Sequence, residues 1–156
     1  MHYYMELVPE EVLDFLVADT DDSLINPQEQ IPEDKEIQKQ LINSACLNGQ
    51  VVIFKTDKVA MTIMRQTMWL GVFDTKVGEN AKARDVIKAY KEFISWAKEN
   101  TFYYKLETRT PLEKFAKTMA KASGSIFEGV RKNSYMTKEG NMIDEYLVGI
   151  ILKETD

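Results

Sequence analysis

The spacing of apolar positions divides the chain into helical and extended segments. The longest helical pattern lies between Ala83 and Asn100, and its apolar face repeats every three or four positions at Val86, Ile87, Tyr90, Phe93, Ile94 and Ala97. A shorter helix is predicted after Pro9, and another from Pro32 to the Asn48-Gly49 stop. The polar stretch between these two helices, Asp19 to Gln30, is predicted to be a surface loop.

The extended segments are shorter and are rich in β-branched and aromatic residues. They are predicted at Tyr4 to Val8, Val51 to Phe54, Val59 to Met64, Trp69 to Asp74 and Phe102 to Thr108, followed by two strands around a turn at Lys138 to Asn141. In the fifth of these segments, alternation predicts one face formed by Phe102, Tyr104 and Leu106. The pattern favours a sheet that is covered on one face in this region.

A final helix is predicted from the sequence Thr110-Pro111-Leu112-Glu113. A threonine followed three residues later by a glutamate is the pattern of a capping box, and proline is favoured at the first helical position. The apolar positions that follow extend this helix from Thr110 to about Ser123.

Composition limits the possible classes of protein. A chain of 156 residues with 44% hydrophobic content is expected to form one globular domain spanning residues 1–156. It has no run of about 18 apolar residues and no signal-peptide pattern at its N-terminus, so a soluble, cytoplasmic protein is expected. With a net charge of −5 and interleaved charges, neither nucleic acid nor a membrane surface is an expected partner.

Several catalytic and metal-binding classes lack the residues that they need. The single histidine, His2, lies at the chain end, which argues against Ser-His-Asp and Cys-His catalysis and against a histidine zinc site. The single cysteine, Cys46, lies among apolar residues and is predicted to be a core thiol. The acidic cluster Asp19 to Ser23 is open to a divalent-cation interpretation, but it lacks the glycine and distal glutamate of a calcium loop, and no metal site is predicted.

The order of predicted elements is strand, two helices, three antiparallel strands, helix, strand, helix and two strands. With the Ser95 to Glu99 end of the long helix and the hairpin arm from Gly140 to Leu152, this order resembles the GNAT N-acetyltransferase superfamily over nearly the whole chain. The resemblance implies an α+β fold: a mostly antiparallel sheet of six or seven strands flanked by about four helices. The lysine- and methionine-rich composition is also similar to that of small GNAT-fold proteins of tailed bacteriophages.

In that family the loop after the fourth strand reads Gln/Arg-x-x-Gly-x-Gly/Ala, and its N–H groups bind the pyrophosphate of acetyl-CoA. The resemblance therefore implies a cofactor site at the end of that strand and in the following loop, formed by Phe73, Val77, Gly78, Glu79, Asn80, Ala81 and Lys82. Gly78 matches the motif, whereas Thr75 and Asn80 replace its first and last positions. The alternative is that Gly78 serves a turn and Asn80 caps the helix.

The family commonly uses a tyrosine in the fourth helix as the acid that protonates the departing thiolate. The matching position here is Ala120, so water or Tyr135, from a later strand, is the candidate substitute. The family base is usually an acid on or near the fourth strand, and the candidates are Glu107, Asp74 and Asp57. Glu107 and Tyr135 are the predicted catalytic residues.

Two functions remain open at this level. One is an acetyl-CoA-dependent N-acetyltransferase acting on a small-molecule or protein amine. The other is a non-catalytic GNAT-fold protein, such as a virion or assembly component with a protein partner or a homo-oligomeric state. Phe73 and Tyr104 are predicted to be core residues, and Trp69 is predicted to mark a contact surface at a sheet edge.

Overall fold

The computed structural model describes residues 1–18, 34–122, 124–137 and 139–154. Seven strands form one sheet in the order β1-β2-β3-β4-β5-β7-β6, and all neighbours are antiparallel except β4 and β5. The strands are β1 His2–Tyr3, β2 Val51–Lys55, β3 Val59–Arg65, β4 Leu70–Val77, β5 Lys105–Thr110, β6 Ser125–Met136 and β7 Met142–Ile151. The helices are α1 Glu10–Val17, α2 Lys35–Leu47, α3 Ala83–Asn100 and α4 Glu113–Met119. The predicted α+β architecture is confirmed.

Two apolar clusters lie on opposite faces of the sheet. On one face, α3 and α4 pack on the central strands, and the rings of Phe73 and Phe93 lie 4.9 Å apart at its centre. On the other face, α1 and α2 pack on β1 and β2 around the buried Cys46. The predicted core positions of Phe73 and Cys46 are confirmed. Among the described residues, no helix is long and apolar enough to cross a membrane.

One lysine, whose side chain is only 12% exposed, links the first two helices. Lys39 of α2 reaches back to α1, where its Nζ lies 2.5 Å from Glu10 Oε1 and 2.5 Å from Asp14 Oδ1. The hydrogen bond to Asp14, followed by that to Glu10, raises the pKa of Lys39 well above its usual range. Pro32 and the acidic cluster Asp19 to Ser23 lie outside the described residues, and α2 begins at Lys35 behind an N-cap formed by the Asp34 side chain.

The strand predicted at Phe102 to Thr108 begins later than expected. After α3, the N–H groups of both Tyr104 and Lys105 donate to Trp69 O, and regular pairing starts only at Lys105. Tyr103 is therefore buried, whereas Phe102 is 81% exposed and Tyr104 is 39% exposed. The prediction that Phe102 and Tyr104 face the core is wrong, because the irregular connection reverses which alternate residues point inward.

The predicted capping box at Thr110 is also wrong. Thr110 is the last residue of β5, and its Oγ1 accepts a hydrogen bond from the N–H of Leu112 at 3.1 Å. That contact turns the chain sharply, so α4 begins only at Glu113 and ends at Met119. Ser123, its predicted end, lies outside the described residues. The entry strand is similarly shifted from Tyr4–Val8 to His2–Tyr3, because Met5 adopts a positive φ of 54°.

Candidate functional site

The central feature of the sheet is a gap between its two parallel strands. β4 and β5 pair at only three positions, Leu70 with Lys105, Gly71 with Leu106 and Val72 with Glu107. Beyond these positions β4 continues to Val77 against β3 alone, and β5 continues to Thr110 against β7 alone. The peptide groups of both strands that face the gap consequently lack a strand partner, as at the edge of an open sheet.

Gly71 holds the closed end of this gap together. A Cβ at Gly71 would lie 2.7 Å from Ile63 Cγ2 and 2.9 Å from Leu106 Cδ2, which is closer than carbon atoms pack. Because only glycine fits, β3, β4 and β5 approach one another closely at this point. β4 diverges from β5 after one further pair, Val72 with Glu107.

The predicted phosphate loop is shorter than the sequence implied. Thr75, Lys76 and Val77 belong to β4, which continues past Asp74, so the loop proper covers only residues 78–82. The backbone N–H of Gly78 donates to Lys58 O at 2.8 Å and is thereby used within the sheet. A Cβ on Gly78 would lie 3.1 Å from Phe15 Cε2, so this glycine is also packed against α1.

Of the remaining N–H groups of the loop, two donate hydrogen bonds within the described part of the protein and two do not. Ala81 N donates to Gly78 O at 3.1 Å, and Lys82 N donates to Asp85 Oδ2 at 2.8 Å. No described residue accepts a hydrogen bond from the N–H of Glu79 or Asn80. Lys82, not Asn80, precedes α3 as its N-cap residue, so the alternative role of Asn80 as a helix cap is wrong.

Charges at this end of α3 are mixed. Lys82 and Arg84 are exposed beside the free loop amides, and Glu79 is exposed on the loop itself. Asp85 accepts the N–H of Lys82, which lowers the pKa of its carboxyl, and it lies 3.6 Å from Lys58 Nζ. The helix dipole, the free amides and the two cations favour an anion here, whereas Glu79 opposes one.

One buried polar atom beside the gap has no partner. Thr75 lies on β4 where β5 has already diverged, and its Oγ1 is buried with no hydrogen-bond partner among the described residues. A hydroxyl in this state favours a ligand that can hydrogen-bond to it. Together with the unpaired strand edge and the free amides of Glu79 and Asn80, it makes the gap a suitable place for an extended ligand with amides at one end and phosphates at the other.

Asp74 lies on the opposite face of β4 from Phe73 and Thr75, next to the gap. Its side chain is open to solvent but is surrounded by protein on several sides, and this burial raises the pKa of its carboxyl. The raised pKa brings the carboxyl closer to the range where a base works near neutral pH.

The two residues predicted to be catalytic do not come together. Glu107 lies at the last paired position of β5, where its Oε1 is 3.3 Å from Lys105 Nζ. Tyr135 lies on β6, paired with Ile143 of β7. Glu107 pairs with Gly149 of the same β7 strand, six residues from Ile143, so the two backbones are roughly 20 Å apart along the strand direction.

The fourth helix offers no replacement for the family tyrosine. Its buried residues are Ala116 and Met119, which fill the core. A buried tyrosine of the same core is Tyr90 of α3, whose hydroxyl lies 3.0 Å from Ser125 Oγ. Burial raises the pKa of Tyr90 to about 12, and its ring packs 6.3 Å from that of Phe73, as its predicted core position requires.

Sequence reasoning missed the polar residues that flank the gap on β5 and β7. Arg109 of β5 and Glu145 of β7 share a sheet face with Asp74, because alternate residues of paired strands point to the same side. No local motif links these three positions in the sequence. The only available signal was a charged residue at an alternating strand position, as at Arg109.

No protein-family model matches the sequence, and no curated protein sequence matches it. Solved structures do match the fold. A ribosomal-protein-alanine N-acetyltransferase from Brucella melitensis is similar with a TM-score of 0.71 and 14% identity, over 97% of this chain and 99% of the other. A GNAT-family acetyltransferase from Streptococcus pneumoniae has a TM-score of 0.64 and 16% identity, over 90% of both chains.

A variant of spermidine N-acetyltransferase from Vibrio cholerae has a TM-score of 0.74 and 10% identity, over 94% of both chains. At these identities the similarity concerns the fold. The chain has the fold of the GNAT N-acetyltransferases, with the separation of β4 and β5 at its centre.

Proposed function

We propose that this protein is an N-acetyltransferase that uses acetyl-CoA and binds it in the gap between β4 and β5. The observation that carries this proposal is the gap itself. Beyond Val72, β4 has no strand partner on the gap side among the described residues, and the gap leads to the free amides of Glu79 and Asn80 and to the start of α3. The GNAT fold of the chain supports the same function, although a fold alone does not carry one.

In this proposal the chain binds the donor mainly through its backbone. The gap-facing peptide groups of β4 bind the amide-containing arm, and the buried Thr75 hydroxyl gains a partner. The free N–H groups of Glu79 and Asn80, with Lys82 and Arg84 next to them, bind the phosphates. Gly78 contributes the shape of the turn and not its N–H, which is already donated to Lys58 O.

When bound, acetyl-CoA supplies an acetyl group as a reactive thioester. Asp74 is the better candidate for the base that takes a proton from the acceptor amine, because it lies beside the gap and burial raises the pKa of its carboxyl. Glu107 is second, because Lys105 holds its carboxylate at 3.3 Å. With no tyrosine in α4, the rate depends chiefly on the alignment of the two substrates and on the unpaired backbone donors of the gap.

Substitution of Glu79 tests the phosphate end of this site. Removing its negative charge with Glu79→Gln is expected to lower the Kd for acetyl-CoA about two- to fivefold, because one repulsion with the phosphates is lost near an exposed surface. Isothermal titration at low salt measures the effect. Glu99→Gln, at the other end of the same helix, is the matched control.

The two variants distinguish a local effect from a change in net charge. Equal Kd values for Glu79→Gln and Glu99→Gln would contradict the location of the phosphate end. Absence of acetyl-CoA binding by the unmodified protein would contradict the proposed function as a whole.

A non-catalytic role in an assembly, such as a virion, is the second candidate, and a separate surface favours it. Trp69 is 57% exposed and packs edge-on against Tyr104, with ring centroids 5.4 Å apart. Met68 and Phe102 are also exposed and line a small cleft at the same end of the sheet. Exposed aromatic and methionine side chains of this kind are typical of protein contact surfaces.

A further inference from the structure

Three charged side chains follow one another across the sheet beside the gap. Asp74 of β4 and Arg109 of β5 each lie two residues beyond the last parallel pair, Val72 with Glu107, and so stand level across the gap. Glu145 of β7 is two residues from Leu147, the partner of Arg109, and therefore shares its face. Such diagonal neighbours are about 7–8 Å apart. The charges alternate in sign along this row.

Arg109 has a buried hydrogen-bond donor that its neighbours do not bind. Its Nε is buried and has no hydrogen-bond acceptor among the described residues. The nearest acid on the same face of the strand, Glu107, lies 3.3 Å from Lys105, and Lys105 also contacts Glu128 at 2.7 Å. These carboxylates are therefore engaged in a separate ion cluster, and a buried donor of Arg109 is left to bind another acceptor.

Glu145 has a buried hydrogen-bond acceptor that lacks a donor. Its residue is only 7% exposed, and its Oε1 has no hydrogen-bond partner among the described residues. The nearest cation, Arg131 Nη1, is 3.6 Å away on a side chain that is half exposed, which is too far for a hydrogen bond. The ion pair with the exposed Arg131 offsets only part of the cost of burying this carboxylate, so a further donor or cation at Oε1 is favoured.

The three charged side chains indicate which ligand groups would bind to them. A ligand carboxylate fits Arg109, because guanidinium donors bind carboxylates strongly, and a ligand ammonium fits Glu145. Asp74, at the gap, fits a second amine on the same molecule. We infer that the acceptor is a diamino acid, bound by its zwitterionic head at Arg109 and Glu145 and acetylated on its distal amine beside Asp74. This inference rests on the proposed acetyltransferase function.

Other amines fit the row less well. A polyamine would bring a cation against Arg109 and would leave the buried Nε donor without an acceptor. A simple monoamine would satisfy Asp74 alone. The diamino acid places a group of opposite charge at each of the three side chains, and electrostatic complementarity of this kind chiefly determines specificity.

Lysine and cadaverine make the sharpest pair of probes, because cadaverine is lysine without its carboxylate. The unmodified protein is expected to acetylate lysine with a kcat/KM about 10- to 100-fold above that for cadaverine. Mass spectrometry should locate the acetyl group on the distal nitrogen. A ratio near one, a preference for cadaverine or acetylation of the α-amine would overturn the inference.

Two variants test the proposed contacts of Arg109 and Glu145 with the amino acid. Arg109→Met keeps the bulk of the side chain and is expected to reduce the lysine-to-cadaverine ratio about tenfold or more, because the carboxylate loses its charged donor. Glu145→Gln is expected to lower kcat/KM for both amines about tenfold or more and to leave the ratio nearly unchanged, because lysine and cadaverine both carry the ammonium that Glu145 binds. Lys132→Gln, on the exposed lysine of β6 that pairs with Asp144 at 3.1 Å, is the matched control and should leave the ratio unchanged.

Thermal unfolding of each variant shows whether it is folded, and the ratio is interpreted only for folded variants. If Arg109→Met fails to fold, Arg109→Lys replaces it, since it keeps the charge but removes the Nε donor. An unchanged ratio in the folded variants of Arg109, or an unchanged kcat/KM for lysine in Glu145→Gln, would overturn the inference.

Failure of the proposed function has a different signature. In that case no amine is acetylated and acetyl-CoA does not bind. Titration of lysine alone then tests the head-group site, since binding by the unmodified protein and its loss in Glu145→Gln would support that part of the inference. Absence of lysine binding in this titration would overturn it.

Discussion

Asp74→Asn is expected to lower kcat/KM for acetyl transfer by about 100- to 10,000-fold, the usual contribution of a positioned general base. The change replaces a carboxylate by a group of the same shape that cannot accept a proton. Because Asp74 lies on the face of β4 opposite the buried Phe73 and Thr75, binding of acetyl-CoA should change little. Steady-state kinetics and titration calorimetry measure the two quantities separately.

The pH dependence gives this prediction a second readout. Burial raises the pKa of Asp74, so the folded state favours its protonated form and the base becomes active only as the pH rises above the ordinary range of aspartate. The kcat/KM of the unmodified protein should therefore rise with pH through this raised pKa. In Asp74→Asn the same limb of the pH profile should be absent.

Stability should change in the opposite direction from activity. For a carboxyl whose pKa is higher in the folded state, ionisation opposes folding above that pKa, and the effect disappears below the pKa of the unfolded chain. Asp74→Asn should therefore unfold no earlier than the unmodified protein at neutral pH. Glu107→Gln is the matched comparison. A larger rate loss in Glu107→Gln than in Asp74→Asn would reverse the assignment of the base.

Gly71→Val is expected to destabilise the fold by about 3 kcal/mol or more, which lies at the upper end of the cost of overfilling a packed site. Valine is normally favoured in strands, but here its first side-chain atom alone would lie 2.7 Å from Ile63 Cγ2 and 2.9 Å from Leu106 Cδ2. The strands must separate to admit it, and the closed end of the gap is lost. Urea unfolding measures the change in the free energy of unfolding.

Val72→Ile is the control for Gly71→Val. Val72 is the next residue of the same strand and points to the other, partly open face, so an added methylene should cost less than about 1 kcal/mol. Similar losses of stability in both variants would mean that strand β4 tolerates no enlargement anywhere. The close approach of β4 and β5 at Gly71 would then not be the cause.

The sequence was most informative where one local pattern determined one element. The face of α3 with Tyr90, Phe93 and Ala97 is buried as its spacing predicts, because a long amphipathic helix depends little on distant contacts. The turn at Thr56 to Lys58 and the hairpin of β6 and β7 were predictable for the same reason. The order of these elements was sufficient to indicate the fold.

Local patterns failed where distant contacts decide the conformation. Tyr104 alternates correctly with Leu106, yet the bonds of Tyr104 and Lys105 to Trp69 O delay the strand and expose the ring. Thr110 has the neighbours of a helix cap, but pairing with Tyr146 of β7 keeps it in a strand. In both cases a neighbouring strand overrides a valid local preference.

The site was harder to predict than the fold. The family motif indicated the loop in which we propose the phosphate site, but the extension of β4 to Val77 and the bond from Gly78 to Lys58 O move the free amides to Glu79 and Asn80. Arg109 and Glu145 are brought together only by the pairing of β5 with β7. Their polar atoms lack hydrogen-bond partners because the folded chain buries them, and burial at these positions could not be predicted from a sequence pattern.

Thermal unfolding with and without acetyl-CoA tests the central claim most directly. Ligand at about 100 times its Kd stabilises a folded protein by about 2.7 kcal/mol, which corresponds to about 5–10 °C for a chain of this size. We expect such an increase in Tm for the unmodified protein, with a larger one for Glu79→Gln at the same ligand concentration. An unchanged Tm at millimolar acetyl-CoA would contradict cofactor binding in the gap and would favour the role in an assembly.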